Sequence, residues 1–358
     1  KRAVEVLDEA PLLSDEMVKL CQWAADYYHH ALGDVFTHAL PAGLRKRNGR
    51  PGHLPAEQEA TEAPLTLNAE QTYAVNAITA ALGQFQPFLL EGVTGSGKTE
   101  VYLQAIAKVL AQGQQVLVLV PEISLTPQTL ARFQARFRGP VAMLHSSLAE
   151  SARLAVWLGA LHNKVRLVIG TRSAIFTPFA KLGLIVVDEE HDPSFKQQDR
   201  FRYHARDLAV KRASLLTIPV VLGSATPALE SLLNAARGRY QLLVLKERAG
   251  MANLPQFRWV DVRQETLEAG LSPALMKSMH EELALGNQVM LFLNRRGFAP
   301  VWYCPDCAWI ASCERCDARM VYHREAKQIR CHHCDARKPT PRTCPSCKAT
   351  DLQPVGVG

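Results

Sequence analysis

The fold of this 358-residue chain is decided by one stretch, Phe88-Leu89-Leu90-Glu91-Gly92-Val93-Thr94-Gly95-Ser96-Gly97-Lys98-Thr99. Its apolar beginning predicts a buried strand, and a helix-forming segment, 100–110, follows it directly. Glycines let backbone amides approach a triphosphate closely, and the N-terminus of a helix adds unpaired N–H groups. The stretch therefore predicts a P-loop in which Lys98 contacts the β- and γ-phosphates and the Thr99 hydroxyl binds Mg²⁺. The alternative is a glycine-rich turn that precedes a helix by chance.

Further apolar runs alternate with helical patterns after the P-loop. They span residues 115–120, 165–169, 182–187 and 220–222. Such continuous runs are typical of strands buried on both faces of a parallel sheet, and each run ends in polar residues. Open α/β sheets bind ligands at the carboxyl ends of their strands, so the pattern predicts a nucleotide-binding α/β lobe.

Two adjacent carboxylates follow the run 182–187 in the string Asp188-Glu189-Glu190-His191. Asp188 suits a ligand of Mg²⁺, and Glu189 is placed to orient and deprotonate an attacking water. The alternative is that the pair only caps the next helix. The later string Gly223-Ser224-Ala225-Thr226-Pro227 offers small hydroxyl side chains that could sense a γ-phosphate.

Gln71 has two interpretations. Asn68 is a credible N-cap for a helix that runs through Val75 and Ile78, and Gln71 stands three residues after it, which predicts a capping box. The functional alternative is a glutamine that contacts adenine.

Composition narrows the class of protein. The length predicts two or three domains, and 47% hydrophobic with 21% charged residues is typical of a soluble globular protein. No apolar run approaches the roughly 20 residues that span a bilayer, and the first residues lack a signal-peptide pattern, so we expect a cytoplasmic location and no membrane partner. A net charge of +7 weakly favours a polyanionic partner such as nucleic acid.

Eight of the nine cysteines form four C-x-x-C pairs. The pairs are Cys304 with Cys307, Cys313 with Cys316, Cys331 with Cys334, and Cys344 with Cys347. In a cytosolic protein this pattern indicates metal binding, and four pairs predict two closed, structural four-cysteine Zn²⁺ sites. Spacing alone leaves open which pairs combine, and His332 or His333 are alternative ligands.

The motif set resembles superfamily 2 helicases, and among them the PriA family of primosomal replication-restart helicases. The stretches that carry the resemblance are the P-loop 92–100, 188–191, 223–227, 120–128, 169–174 and 291–300, followed by the cysteine cluster. The resemblance implies a RecA-like helicase lobe, the start of a second lobe, a zinc module and a partial N-terminal DNA-binding domain.

The resemblance also implies an activity and partners. Members of the family bind abandoned replication forks, hydrolyse ATP to move 3′ to 5′ on single-stranded DNA, and help to reload the replicative helicase. We therefore expect ATP, Mg²⁺ and two Zn²⁺ as cofactors, and single-stranded and forked DNA, single-stranded-DNA-binding protein and other primosome proteins as partners. A monomer associated with the bacterial nucleoid is expected.

Site residues follow from the same resemblance. The residues expected to contact the nucleotide are Gln71, at the adenine, and Gly92, Thr94, Gly95, Ser96, Gly97, Lys98 and Thr99 of the P-loop, with Asp188 on Mg²⁺ and Glu189 on water. The resemblance and simple nesting of the pairs suggest Cys313, Cys316, Cys331 and Cys334 on one zinc ion and Cys304, Cys307, Cys344 and Cys347 on the other.

The segment 192–207 resembles the family's aromatic-rich loop that couples DNA binding to hydrolysis. It interleaves aromatic side chains with cations, namely Phe195, Lys196, Arg200, Phe201, Arg202, Tyr203 and Arg206. Aromatic faces stack on bases at about 1–3 kcal/mol each while cations neutralise phosphates. The alternative is a solvated surface loop with packed aromatic residues.

We divide the chain accordingly. The predicted parts are a partial N-terminal DNA-binding domain (1–44), a linker where the family carries a winged helix (45–66), helicase lobe 1 (67–245), the start of lobe 2 (246–302), the zinc module (303–350) and a truncated re-entry into lobe 2 (351–358).

No stretch resembles the Gln-x-x-Gly-Arg-x-Gly-Arg motif that supplies an arginine finger, worth roughly 10³–10⁵ in rate in related NTPases. We therefore expect a fragment, or ordered pieces of a longer chain, that binds ATP but barely hydrolyses it alone. The alternatives are another superfamily 2 translocase acting on RNA or duplex DNA, and a zinc-stabilised DNA- and partner-binding module with an incomplete ATPase.

Overall fold

The structure, a computed structural model, describes residues 11–45, 50–55, 60–139, 141–248, 256–262, 271–292, 301–316, 318–323, 326–332 and 334–355. The chain divides into two compact units, Lys1–Asn253 and Leu254–Gly358. The α-helices within the described residues are α1 (Asp15–Tyr27), α2 (Leu32–Ala39), α3 (Ala69–Ala80), α4 (Lys98–Ala111), α5 (Pro127–Arg136), α6 (Glu150–Leu161), α7 (Ala205–Leu216), α8 (Leu229–Ala236) and α9 (Pro273–Ala284). Among these helices we find none long and apolar enough to cross a membrane.

The first unit is built on a seven-stranded sheet. Its strands are β1 (Pro87–Gly92), β2 (Gln115–Leu119), β3 (Val141–Leu144), β4 (Leu167–Gly170), β5 (Leu182–Asp188), β6 (Val220–Ser224) and β7 (Gln241–Leu245). They lie in the order β3-β4-β2-β5-β6-β1-β7, and every neighbouring pair is parallel. The predicted parallel α/β lobe is therefore confirmed.

Alternate residues of the central strands pack into two hydrophobic cores, one on each face of the sheet. Leu89, Leu117, Ile185 and Leu222 belong to the cluster that α1, α6 and α7 cover. Phe88, Val116, Leu184 and Val221 belong to the cluster covered by α3, α4 and α5. Burial on both faces explains why these strands are continuously apolar in sequence.

Two strands of the seven-stranded sheet were not predicted from the sequence. Strand β3 is only four residues long, and β7 lies at the other edge of the sheet with Leu242 and Val244 partly exposed. An edge strand is buried on fewer sides, so its hydrophobic pattern is weaker.

The N-terminal helices pack on the lobe as part of the same unit. Met17, Leu20 and Cys21 of α1 and Val35 of α2 are fully buried in the core that contains α7. Ser14 caps α1, because its hydroxyl accepts a hydrogen bond of 3.3 Å from the amide of Met17. The described part of the predicted N-terminal domain is therefore continuous in packing with lobe 1.

The segment predicted as a linker is attached to the lobe where the structure describes it. The amides of Thr61 and Glu62 both donate to the carbonyl of Ala135, at 2.8 and 2.9 Å, and the amide of Leu65 donates to Glu100. A freely solvated tether is therefore excluded for residues 60–65. Of the basic, turn-rich stretch 45–52 of this segment, residues 46–49 lie outside the described residues.

The second unit holds helix α9 and two small sheets. The strands are β8 (Val301–Tyr303), β9 (Val321–His323), β10 (Gln328–Arg330), β11 (Arg337–Pro339) and β12 (Gln353–Val355). Strands β9, β10 and β11 form one antiparallel sheet, and β12 pairs antiparallel with β8. Most of the stretch 291–300 that carried the resemblance to lobe 2 lies outside the described residues.

Candidate nucleotide site and zinc module

The P-loop joins the end of β1 to the start of α4. Gly95 and Gly97 have φ angles of 81° and 82°, in the left-handed region that favours glycine. A Cβ at Gly92 would lie 2.4 Å from Oγ of Ser96, so this position has no room for a side chain. Oγ of Ser96 is itself buried and has no hydrogen-bond partner among the described residues. Glycine spacing therefore shapes a tight loop before a helix N-terminus, which fits an anion.

Lys98 lies inside this loop. Its Nζ donates a hydrogen bond of 2.8 Å to the carbonyl of Gly92 and lies 3.9 Å from Oε1 of Glu189. Thr99 follows in the first turn of α4 and lines the same cavity, whose volume is about 470 Å³. The ammonium group thus stands between the P-loop and the carboxylates at the end of β5.

Asp188 and Glu189 reach this cavity because β5 ends at Asp188. Oδ1 of Asp188 accepts a hydrogen bond of 3.0 Å from the hydroxyl of Tyr102, which is buried on α4. Burial, and then the negative charge of Glu189, raise the pKa of Asp188 to about 6. A nearby cation stabilises the ionised form of a buried carboxylate whose pKa is raised, so the site suits Mg²⁺.

Glu189 has a φ of 47°, which is uncommon for a residue other than glycine. Such backbone conformations cost on the order of 1–3 kcal/mol and occur often at functional sites. The conformation turns the chain directly after Asp188, so that successive carboxylates line one cavity.

Gln71 makes the predicted capping box with Asn68. Its Oε1 accepts from the amide of Asn68 at 2.9 Å, and the amide of Gln71 donates to the side chain of Asn68 at 2.8 Å. Its Nε2 also donates a hydrogen bond of 2.9 Å to the carbonyl of Ser96, so the side chain stabilises the conformation of the P-loop. The adenine contact suggested by the family resemblance stays a prediction.

A buried network connects the carboxylate string to the neighbouring elements. Glu190 is fully buried, and its carboxylate accepts hydrogen bonds from Ser231, the amide of Ala228 and Arg206, at 2.9, 2.7 and 3.0 Å. His191 lies 2.7 Å from Oγ of Ser224. The string at 188–191 is therefore linked to β6, α8 and the start of α7.

The aromatic side chains of the segment 192–207 are not where bases could stack on them. Phe195 and Tyr203 are 0% exposed and Phe201 is 2% exposed. The ring of Phe201 stacks on Tyr203 at 4.9 Å and also contacts Tyr28, the residue directly after α1. These rings are therefore not available for base stacking, and Phe201 and Tyr203 pack against the N-terminal region of the chain.

The cations of the same loop divide into two groups. Arg200 and Arg202 are exposed, whereas Nζ of Lys196 donates to the carbonyl of Arg202 and lies 5.0 Å from the ring centroid of Tyr28. Arg172 donates to the carbonyls of Ser194 and Lys196, which fixes the beginning of the loop. Only the two exposed arginines are thus placed to meet a phosphate backbone without rearrangement.

The eight cysteines form two groups in the second unit. One contains Cys304, Cys307, Cys344 and Cys347, and the other Cys313, Cys316, Cys331 and Cys334, with all sulfurs of a group within 4.8 Å of one another. Sulfur-to-sulfur distances of 3.4–3.6 Å occur in both groups. A tetrahedral Zn²⁺ with bonds of about 2.3 Å places sulfurs about 3.8 Å apart, so both groups fit zinc.

His332 does not join either cysteine group. Its Nε2 lies 3.1 Å from Nε2 of His323 instead, and His333 lies outside the described residues. Four thiolates complete each tetrahedron without a histidine.

Several residues that organise the site were not found from the sequence. Tyr102 looks like an ordinary helix residue, because its partner Asp188 is distant in the chain. Arg206 was predicted only as a cation of the segment 192–207, and its pairing with Glu190 was not found. Glu190 was part of a quoted motif, but nothing in the string indicated that it alone would be fully buried. Full burial of a charged group requires partners, and those come from α7 and α8.

Three family models match the chain. DEAD/DEAH box helicase matches residues 68–235, the PriA DNA helicase Cys-rich region domain matches 313–339, and the 3′DNA-binding domain matches 1–41. The first match covers the P-loop lobe and the second covers one of the two cysteine groups.

Relatives match over longer stretches. A replication restart protein PriA from Haemophilus influenzae is 41% identical over 433 residues, which cover 100% of this chain and 59% of the relative. The PriA of Bacillus subtilis is 46% identical, and the match covers 82% of this chain and 37% of the relative. The PriA of Treponema pallidum is 38% identical, and the match covers 100% of this chain and 54% of the relative. The chain thus spans about half the length of these relatives. On the combined evidence of the three family models and these relatives, the chain belongs to the PriA family of replication restart proteins.

Proposed function

We propose that the lobe at residues 67–245 binds ATP with Mg²⁺ and hydrolyses it. The observation that carries this proposal is that Lys98, Thr99, Asp188 and Glu189 line one cavity at the P-loop. The match to the helicase family over residues 68–235 supports the same conclusion.

Each residue has a role that follows from its position. The backbone amides of the P-loop and Nζ of Lys98 hold the β- and γ-phosphates, since both face the cavity. The Thr99 hydroxyl and Asp188 hold Mg²⁺, which neutralises charge on the phosphates. Glu189 orients a water for attack on the γ-phosphate and accepts its proton. Gln71 keeps the loop in place through its hydrogen bond to Ser96. Its contact with adenine is proposed from the family resemblance alone.

We propose further that hydrolysis drives movement along single-stranded DNA. The exposed side chains of Arg200 and Arg202 contact the phosphates of the DNA. Arg206 couples DNA binding to hydrolysis, because its ion pair with Glu190 joins the end of the same loop to the segment that holds Asp188. The match of residues 1–41 to a 3′DNA-binding domain supports DNA as the nucleic acid.

At the level of the whole protein, we propose a 3′ to 5′ DNA helicase of replication restart. Its substrates are single-stranded and forked DNA, and its partners include single-stranded-DNA-binding protein and other primosome proteins. A monomer in the bacterial cytoplasm, associated with the nucleoid, fits this role. The two cysteine groups each hold one structural Zn²⁺.

The test begins with nucleotide binding, which does not require a second lobe. The chain should bind a fluorescent, non-hydrolysable ATP analogue only with Mg²⁺, and Lys98→Ala should weaken binding at least about tenfold. Glu189→Gln should retain this binding, because the glutamine keeps the shape of the side chain and loses only the base.

The second part compares nucleic acids. ATPase is measured for the chain and for a version extended through a complete second lobe, with forked DNA, single-stranded DNA and RNA. We expect forked and single-stranded DNA to stimulate the extended protein well above RNA. Equal stimulation by RNA would favour a different superfamily 2 translocase, and an unchanged rate with all three would remove the helicase proposal.

A further inference from the structure

Helix α5 carries an arginine that lies outside the nucleotide-binding motifs. Arg132 is in the middle of α5, four residues before Arg136, so both side chains lie on one face of the helix. Its side chain is exposed, and among the described residues no hydrogen bond or ion pair joins it to another group. The five N–H donors of this guanidinium are therefore available.

The position of this face of α5 is fixed by Arg136. Its guanidinium makes two hydrogen bonds with the Glu100 carboxylate, at 2.8 and 2.9 Å, and both side chains are less than 10% exposed. Glu100 belongs to the first turn of α4, directly after Lys98 and Thr99. A buried bidentate pair of this kind fixes distance and orientation, so α5 is held against the P-loop helix.

Arg132 consequently lies at the edge of the phosphate site. It lines the P-loop cavity together with Gly95 and Lys98. It also lines an adjoining cavity of about 220 Å³ that is bounded by Thr99, Tyr102 and Asp188. These two cavities meet at Thr99 and Asp188, where Mg²⁺ and the terminal phosphate belong in the proposed site.

The guanidinium of Arg132, unpaired among the described residues, favours an anion beside it, while the carboxylates of Asp188 and Glu189 in the same cavity are assigned to Mg²⁺ and water in the proposed site. Arg136 also lines the P-loop cavity, but its charge is already paired with Glu100 through two hydrogen bonds. Lys98 is a single cation facing a phosphate whose equatorial oxygens gain charge during transfer, and guanidinium groups stabilise such oxygens through paired hydrogen bonds.

We propose that Arg132 binds the terminal phosphate of ATP from α5 and lets the site distinguish ATP from ADP. The inference rests on the proposed ATP site. It adds a phosphate contact from within lobe 1 to the P-loop lysine, and it connects the presence of the γ-phosphate to α5.

The experiment measures equilibrium binding of a fluorescent non-hydrolysable ATP analogue and of fluorescent ADP, both with Mg²⁺, to the chain and to Arg132→Ala. We expect about a tenfold or greater loss of affinity for the ATP analogue and less than a twofold change for ADP, since charged hydrogen bonds to one phosphate are removed. Arg132→Lys should recover part of the loss. Arg237→Ala, an exposed arginine of the same unit outside both cavities, is the matched control and should change neither affinity.

Two results would overturn the inference: unchanged affinity of Arg132→Ala for the ATP analogue, or an equal loss for ADP. Either is distinct from failure of the proposed site itself, in which the unmodified chain would not bind the ATP analogue or Lys98→Ala would bind it normally. Because Arg132 is exposed in the middle of a helix, alanine should leave the thermal unfolding transition in place, and that transition is recorded for each variant.

Discussion

The hydroxyl of Tyr102 donates a hydrogen bond of 3.0 Å to Oδ1 of Asp188, and so connects the P-loop helix to the carboxylate at the end of β5. Burial, and then the charge of Asp188, raise the pKa of Tyr102, so this hydroxyl stays protonated and acts as the donor. A Cβ at Gly223 would lie 1.6 Å from the hydroxyl oxygen, which explains why β6 has a glycine beside it. Tyr102 thereby positions a carboxylate that the proposed site assigns to Mg²⁺.

Tyr102→Phe tests this positioning role. The substitution keeps the ring and removes one hydrogen bond to a charged group, typically worth about 1.5–3 kcal/mol. We expect the Mg²⁺ concentration for half-maximal binding of an ATP analogue to rise by roughly tenfold, with little change in affinity at saturating Mg²⁺. Tyr73→Phe, at an exposed tyrosine of the same unit, is the control. An unchanged Mg²⁺ requirement in Tyr102→Phe would show that the bond has no role in metal binding.

Sequence patterns identified the P-loop and the central strands because their signals are local. Gly92, Gly97 and Lys98 are neighbours in sequence, and burial on both faces makes β2 and β5 apolar at nearly every position. Tyr102 and Asp188 are 86 residues apart, and no local pattern connects them. The same limit applies to Arg206 and Glu190, whose pairing depends on how α7 packs.

The aromatic-rich segment 192–207 limits prediction from sequence for a different reason. Aromatic residues interleaved with cations are equally compatible with a base-stacking surface and with a packed loop that has charged edges. Phe201 and Tyr203 are buried against His38 of α2, which comes from the other end of the unit. Only this packing separates the two interpretations.

Replacing loop residues should therefore separate stability from DNA binding. Phe201→Ala removes a ring that is 2% exposed, and such changes typically cost about 3–5 kcal/mol, so we expect a large loss in urea unfolding. The double variant Arg200→Ala with Arg202→Ala should keep the stability but bind single-stranded DNA more weakly, with the salt dependence reduced by roughly one to two phosphate contacts. Normal DNA affinity and salt dependence in the double variant would contradict the proposed role of these arginines.

Arg212 should be essential for attaching the N-terminal helices. It is fully buried and donates two hydrogen bonds, one of 2.8 Å to the carboxylate of Glu16 in α1 and one of 2.7 Å to the carbonyl of Ile175. Removal of one partner from a buried pair typically costs about 3–5 kcal/mol, because the other charge stays without compensation. We expect Arg212→Met to lower the free energy of unfolding by this order, and Arg212→Met combined with Glu16→Gln to lower it less. Additive losses in the double-mutant cycle would mean that the two side chains are not coupled.

Zinc stoichiometry should follow the two cysteine groups. Cys313→Ser breaks one group of four thiolates and Cys344→Ser the other, so each variant should contain one zinc by elemental analysis where the unmodified chain contains two. His332→Ala should retain both ions, because its ring pairs with His323 and not with a cysteine group. Loss of both ions from Cys313→Ser would show that the two sites do not fold independently, and loss of one from His332→Ala would assign a histidine ligand.

Acid should weaken the packing of α2 on the lobe through His38. Burial, followed by the charges of Arg172 and Arg200, lowers the pKa of His38, whose Nε2 lies 3.3 Å from the hydroxyl of Tyr203. The folded chain therefore keeps this ring neutral at a pH where the unfolded chain, with a histidine pKa of about 6.5, takes up a proton. The free energy of unfolding must then fall as the pH drops below that value.

His38→Gln removes this proton uptake and should make the decline between pH 7.5 and pH 5.5 shallower in urea unfolding measurements. His204, whose pKa is also lowered by burial, contributes in the same direction and is unchanged in this variant, so part of the decline should persist. His162→Gln, at an exposed histidine, serves as the control and should follow the unmodified chain. If His38→Gln loses as much stability on acidification as the unmodified chain, the prediction that His38 stays neutral in the folded chain is wrong.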